Sequence, residues 1–131
     1  MSVGLVDTSV VIDWDDPAVV QSLPDEIAIS AVTLAELAAG PHLASNPAQA
    51  AERQARVQQV ESKIEPLPFD SAAARSYGQV VAAVSATGRK HRRRVAALMI
   101  AATAHANGLD LYTRNAGDFM GLEGLVTVVA I

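Results

Sequence analysis

Apolar residues are grouped along this chain in short continuous runs, separated by longer segments of mixed character. The runs predict five buried strands, at residues 3–6, 27–30, 64–67, 111–113 and 126–129. Because polar residues do not alternate with the apolar ones, these strands are expected to be covered on both faces. The intervening segments predict helices at residues 8–14, 32–39, 47–62, 71–87 and 92–107, with a further short element after Pro17.

Local start and stop signals support the helix boundaries. Asn46 followed by Pro47 is a preferred helix start, and Gly88 and Gly108 are typical residues just beyond a helix end. Strands that alternate with helices predict an α/β fold with three layers, α/β/α, around a five-stranded and mainly parallel sheet. At 131 residues, we expect a single domain over the whole chain.

The composition narrows the class of protein. Half of the residues are hydrophobic and only 4% are aromatic, so we expect a core of Ala, Val, Leu and Ile. The absence of cysteine excludes disulfides and cysteine-based zinc sites. No secretory signal is recognisable, and no apolar segment is long enough to cross a bilayer. We therefore expect a soluble, cytoplasmic protein with no membrane contact.

Positive charge is concentrated in one short run, although the net charge of the chain is −4. Five of the ten basic residues lie within six positions around His91, and they are Arg89, Lys90, Arg92, Arg93 and Arg94. Such a run can contact phosphate groups locally on an otherwise acidic protein. The alternatives are a solvated turn, or pairing with acids of another chain.

Three acids stand where a simple fold would not require a charge. Asp7 follows the first strand, where open α/β sheets present binding groups, although it could equally cap the next helix. Glu36 is the only formal charge between positions 27 and 43, and we expect it to be buried with a cation, the alternative being an exposed helix face. Asp118 follows the strand at 111–113, in a segment that could also be an ordinary turn. Together these acids are hard oxygen ligands of the kind that Mg²⁺ or Mn²⁺ prefers.

In its motifs the chain resembles the PIN-domain ribonucleases and, within them, the VapC toxins of bacterial toxin–antitoxin pairs. The resemblance covers almost the whole chain and rests on residues 6–10, 33–37, 100–104, 111–115 and 118–119. It implies a Mg²⁺-dependent endoribonuclease, with Mn²⁺ as a possible substitute, that cleaves structured RNA such as tRNA or rRNA. It also implies a homodimer and neutralisation by a small VapB-like antitoxin.

The resemblance assigns roles to residues of this chain. Asp7, Glu36 and Asp118 correspond to catalytic, metal-binding acids of the family. The candidate substrate-binding residues are Ser9, Thr113, Arg114 and Asn115, together with Arg92, Arg93 and Arg94 of the basic run.

Position 97 departs from the family pattern. The family usually has Asp there, three residues before Ile100, and this chain has Ala97. Loss of one carboxylate from a cluster of about four should weaken both metal binding and catalysis. Either natural loss or deliberate inactivation accounts for the alanine, and we favour the latter because the other landmarks are intact.

Two other classes of function compete with an active nuclease. A PIN-like domain without catalysis could hold RNA or an antitoxin. A receiver-like phosphotransfer domain is disfavoured, because Asp15 and Asp16 follow the helix after the first strand and Arg114 stands where a lysine would be expected.

Overall fold

The computed structural model describes residues 2–90 and 92–131, so that His91 of the basic run lies outside the described residues. The described strands are β1 (Val3–Val6), β2 (Glu26–Ala28), β3 (Asp110–Thr113) and β4 (Val128–Ala130). They form one sheet in the order β2-β1-β3-β4, and all three neighbouring pairs are parallel.

Six α-helices are described around the sheet. They are α1 (Thr8–Ile12), α2 (Pro17–Gln21), α3 (Ala31–Ala39), α4 (Pro47–Lys63), α5 (Ser71–Ala86) and α6 (Val95–Ala106). The first five are each capped by a side chain of a kind that favours helix starts, and these caps are Asp7, Asp16, Ser30, Asn46 and Asp70. Short 3₁₀ helices lie at Gly40–Leu43, Arg92–Arg94 and Ala116–Phe119.

The sheet separates two apolar cores, which accounts for the three layers. Leu5 of β1 contributes to a core that includes α5 and α6, whereas its neighbour Val6 contributes to a core on the other side with residues of α1 to α4. Successive side chains of a strand point to opposite faces, so a fully apolar strand supplies both cores. The α/β/α architecture predicted from the sequence is confirmed.

The predicted strand count of five is wrong. Residues 64–67 form no strand, and only Leu67 reaches the sheet region, through an isolated parallel bridge to Ser30. Leu67 N donates to the carbonyl of Ile29 and its own carbonyl accepts from Ala31 N. Pro66 and Pro68 flank it, and because proline has no N–H it cannot continue a hydrogen-bonded ladder.

The helix predicted at residues 92–107 also differs. Its first turn, Arg92–Arg94, is a 3₁₀ helix, and α6 begins at Val95 without a capping side chain. None of the helices in the described residues is long and apolar enough to cross a membrane.

Candidate active site

The carboxyl ends of β1 and β3 lie side by side and bring two predicted segments together. Val6 is paired with Tyr112, and the amide of Asp7 donates to the Tyr112 carbonyl at 3.1 Å. Asp7 therefore lies beside the end of β3, the strand that leads to Asp118. This is the sheet edge at which parallel α/β proteins bind ligands.

Hydroxyl donors hold the carboxylate of Asp7 on both of its oxygens. Oδ2 accepts from Thr113 Oγ1 at 2.6 Å, and Oδ1 accepts from Ser9 Oγ at 2.6 Å and from Val10 N at 3.3 Å. Asp7 is 5% exposed and Thr113 is fully buried. Asp7 thus caps α1, as the simpler interpretation allowed, and is also oriented by two residues predicted to bind substrate.

Glu36 is exposed, so the expectation that it is buried with a cation is wrong. The exposed side of α3 carries it, while Thr33 and Leu37 of the same helix are buried. Its Oε1 accepts from Thr8 Oγ1 at 2.6 Å, and Thr8 Oγ1 also lies 3.2 Å from Thr33 Oγ1. Because Thr8 directly follows Asp7, these hydrogen bonds hold Glu36 next to the end of β1.

Asp118 and Ala97 lie on elements that contact each other. Asp118 is half-buried in the 3₁₀ helix Ala116–Phe119, which packs against α6. The carbonyl of Asp118 accepts from Nη1 of Arg94 at 3.5 Å, and Arg94 directly precedes the first turn of α6. Ala97 stands in that turn, half-buried against the core.

The loop after β3 is tied to the Asp7 segment by two further residues. Asn115 is exposed, and its backbone N–H donates to Thr113 Oγ1 at 2.9 Å. The amide of Arg114 donates to Ser9 Oγ at 3.0 Å. Ser9, Thr113, Arg114 and Asn115 therefore form one hydrogen-bonded group around Asp7.

The side chains present do not complete a metal site. Among residues 2–90 and 92–131, no three His, Asp or Glu side chains are grouped so that they could hold an ion. Both oxygens of Asp7 already accept from hydroxyl groups, and Ala97 offers no oxygen. Mg²⁺ in proteins is usually held by one or two carboxylates with waters completing its octahedron, so without a further carboxylate at position 97 this arrangement would hold such an ion only weakly.

The basic run lies beside the segment that contains Asp118. Arg89 Nη2 donates to the carbonyl of Gly117 at 3.1 Å. A surface cavity of about 480 Å³ is lined by Ser85, Arg89, Lys90, Arg92 and Arg93. No ion pair is described for these arginines in the part of the chain that the structure covers.

A second cavity adjoins Glu36 on the α3–α4 side. It has a volume of about 440 Å³, and its lining includes Thr8, Glu36, Arg53 and Arg56. Arg56 pairs with Asp15 and holds the pKa of that carboxyl below its usual value, through the hydrogen bond first and the charge second.

Sequence reasoning missed the threonines that position the acids. Thr8 lies two residues after the end of β1, directly after Asp7, and Thr33 lies three residues before Glu36 on α3. These positions beside the candidate acids are the signal that could have identified the two threonines. It also missed that Asp13 and Asp16 pair with Arg114, at 3.2 and 3.7 Å.

Comparison with known proteins identifies the class of this fold and site. The sequence profile of the PIN domain matches residues 4–119, and the chain belongs to the PIN-domain family. It is 35% identical over 130 residues to Ribonuclease VapC5 of Mycobacterium tuberculosis, covering 98% of this chain and 93% of that protein. Within that family, the chain belongs with the VapC-type proteins.

Solved structures, one of them from the VapBC family of toxin–antitoxin systems, agree with this chain in fold. VapBC-5 from Mycobacterium tuberculosis superposes with a TM-score of 0.83 at 35% identity, over 100% of this chain and 98% of that chain. FitAcB from Neisseria gonorrhoeae gives a TM-score of 0.74 at 29% identity, over 96% and 95% of the two chains. PIN-domain VapC nucleases generally depend on a divalent metal.

Proposed function

We propose that this chain is the toxin of a VapBC pair, an endoribonuclease that cleaves structured RNA such as tRNA or rRNA in the cytoplasm, weakened or inactivated by Ala97. The proposal rests on one observation at the end of β1. There the carboxylate of Asp7 accepts hydrogen bonds from the hydroxyl groups of Ser9 and Thr113, in a chain of the VapC family. Two hydroxyl donors on one carboxylate fix its orientation, which a catalytic acid requires.

The residues of the site have distinct roles in this proposal. Asp7, Glu36 and Asp118 are the catalytic acids, and a complete site, with Asp at position 97, would bind Mg²⁺ or Mn²⁺, which activates water and offsets charge on a phosphodiester. The chain's own polar groups orient the acids, since Thr8 holds Glu36 and Thr113 holds Asp7.

Substrate contacts are assigned to the residues around this edge. Arg114 and Asn115 follow Thr113 in the loop beside Asp7. The arginines at positions 92, 93 and 94 would contact phosphate groups and offset the repulsion between RNA and the acids.

The partners follow from the structural relatives. The similar solved structures contain toxin and antitoxin together, which supports a VapB-like antitoxin for this chain. A homodimer is part of the same proposal. The alternative, a PIN-like domain that binds RNA or antitoxin without cleavage, is favoured by one observation, the missing oxygen at Ala97.

A cleavage assay on variants of position 97 tests the proposal. With Mg²⁺ and structured RNA, Ala97→Asp should cleave at least about 100-fold faster than the unaltered chain, because the added carboxylate would help hold a metal ion whose stabilisation of the transition state is worth several kcal/mol. Ala97→Asn has the same shape without the charge and should show little of this gain. If Ala97→Asp is folded and binds RNA but does not cleave it, the binding-module alternative replaces the nuclease.

A further inference from the structure

Arg114, at the rim of the Asp7 site, is held by two acids from the segment that follows α1. Its Nη1 donates to Asp13 Oδ2 at 3.2 Å and lies 3.7 Å from Asp16 Oδ2. Asp13 ends α1 and Asp16 caps α2, so both carboxylates belong to the turn between these helices. The two acids and Arg114 are called the acid clamp below.

The acid clamp is rigidly connected to the catalytic edge. The Arg114 amide donates to Ser9 Oγ, which in turn donates to Asp7 Oδ1 at 2.6 Å. The guanidinium therefore leaves the backbone at a fixed point beside the Asp7 carboxylate. An RNA phosphate that reaches this edge would meet Arg114 together with its two acids.

The charges of the acid clamp do not balance. Two carboxylates oppose one guanidinium, which leaves a net charge of about −1 where a polyanion would approach. All three side chains remain a third to a half exposed, at 35% for Arg114, 48% for Asp13 and 47% for Asp16. Exposed ion pairs are weak, so a phosphate that binds arginine bidentately can displace them.

We propose that Asp13 and Asp16 compete with RNA phosphate for Arg114, so that the acid clamp lowers the affinity of this chain for RNA. This inference rests on the proposed function, because it assumes an RNA substrate at the Asp7 edge. It adds two affinity-determining residues that do not touch the substrate and that act through Arg114.

The test is RNA binding by the unaltered chain and the double variant Asp13→Asn/Asp16→Asn. A labelled RNA hairpin without added metal is the probe, so that binding is measured and cleavage is not. Asparagine keeps the cap on α2, since Asn caps helices as well as Asp does. We expect the double variant to bind about three- to tenfold more tightly, with a salt dependence steeper by about one unit for the added phosphate contact.

Two controls separate the acid clamp from a general effect of charge. Glu26→Gln/Asp110→Asn removes two exposed charges at the amino ends of β2 and β3, on the opposite edge, and should change the affinity less than about twofold. In an Arg114→Ala background, Asp13→Asn/Asp16→Asn should raise the RNA affinity much less, because the arginine through which the two acids act is absent.

The outcomes distinguish the failure of the inference from the failure of the proposed function. If the unaltered chain binds RNA and Arg114→Ala weakens it, but the double variant is unchanged or weaker, the competition is overturned and the proposed function stands. An equal gain with and without Arg114 also overturns it. If neither the unaltered chain nor the double variant binds RNA, both fail.

Discussion

At the scale of single residues, the orientation of the Asp7 carboxylate depends on a hydroxyl group of Thr113, near the other end of the chain. Thr113 Oγ1 donates to Asp7 Oδ2 across 106 positions of sequence and accepts from Asn115 N. The bond is buried, so water cannot replace it, and a buried acceptor without a donor costs free energy. Thr113 is therefore expected to support both the position of Asp7 and the stability of the fold.

Replacement of Thr113 by valine tests this role. The side chains are similar in shape, but valine leaves Asp7 Oδ2 and the Asn115 amide without their partner, so the free energy of unfolding should fall by about 2–3 kcal/mol. Denaturant unfolding measures the change. Thr103→Val is the matched control, since Thr103 is also fully buried but bonds only within α6, and it should cost less than about 1 kcal/mol. Equal losses in the two variants would show that the Asp7 bond adds nothing.

The sequence identifies the acids of the site better than it identifies their surroundings. Asp7 is recognisable because a charge directly after an apolar strand is a local pattern. Its bond to Thr113 is not recognisable, because it joins residues that only the folded sheet brings together. The apolar neighbours of Glu36 predict that it is buried, but a helix in contact with the core on one side leaves its other side exposed.

At the scale of elements, β1 is one of the two inner strands of the sheet and leads to Asp7, and Gly4 allows β1 to pack closely against its neighbours. A Cβ atom at Gly4 would lie 2.7 Å from Tyr112 Cδ1 and 2.9 Å from Pro24 Cγ. Tyr112 belongs to β3, and its ring packs against the apolar core that contains Val6, so the ring cannot move away without disturbing that packing. The close packing of β1 and β3 thus depends on a residue without a side chain.

Gly4→Ala should therefore destabilise the protein by about 1–3 kcal/mol, the usual cost of overpacking a core. Gly78→Ala is the control in α5, where a Cβ atom would meet nothing within 4 Å. Alanine there should stabilise the protein by about 0.5–1 kcal/mol, because glycine is a poor helix former. Thermal unfolding of both variants measures the difference, and the same sign in both would contradict this account of β1.

Element types are predictable from this sequence where local chemistry and tertiary packing agree. Strong caps such as Asn46 and Asp70 place the starts of α4 and α5 correctly. The apolar segment before Pro68 fails as a strand because the two prolines around Leu67 outweigh its hydrophobicity. The sequence predicts that α6 starts at Arg92, which is too early, because residues Arg92–Arg94 form a 3₁₀ helix and α6 begins at Val95.

At the scale of the whole molecule, the basic run offsets an acidic surface at one place. Arg94 and Arg89 donate to carbonyls of the segment that contains Asp118, so the run lies next to the proposed site. RNA binding through this run would release counterions from the phosphates. The slope of the binding constant against salt concentration is then proportional to the number of phosphate contacts.

Replacement of Arg92, Arg93 and Arg94 by alanine should weaken RNA binding. It should also reduce the slope of the binding constant against salt concentration by about one unit for each lost phosphate contact. The control Lys63→Ala/Arg75→Ala removes exposed cations of α4 and α5 and should have a smaller effect for each charge. Binding measured between low and physiological salt gives the slopes. An unchanged slope together with loss of antitoxin binding would assign the run to the partner protein.

The central claim is that positions 7, 36, 97 and 118 belong to one site that Ala97 leaves incomplete. Calorimetric titration with Mn²⁺ tests it most directly, on the unaltered chain and on Ala97→Asp. We expect at least about tenfold tighter binding to Ala97→Asp, because an added carboxylate brings both a ligand and a charge, and we expect Asp7→Asn in that background to remove the gain. Equal Mn²⁺ affinity of the unaltered chain and Ala97→Asp would contradict the claim.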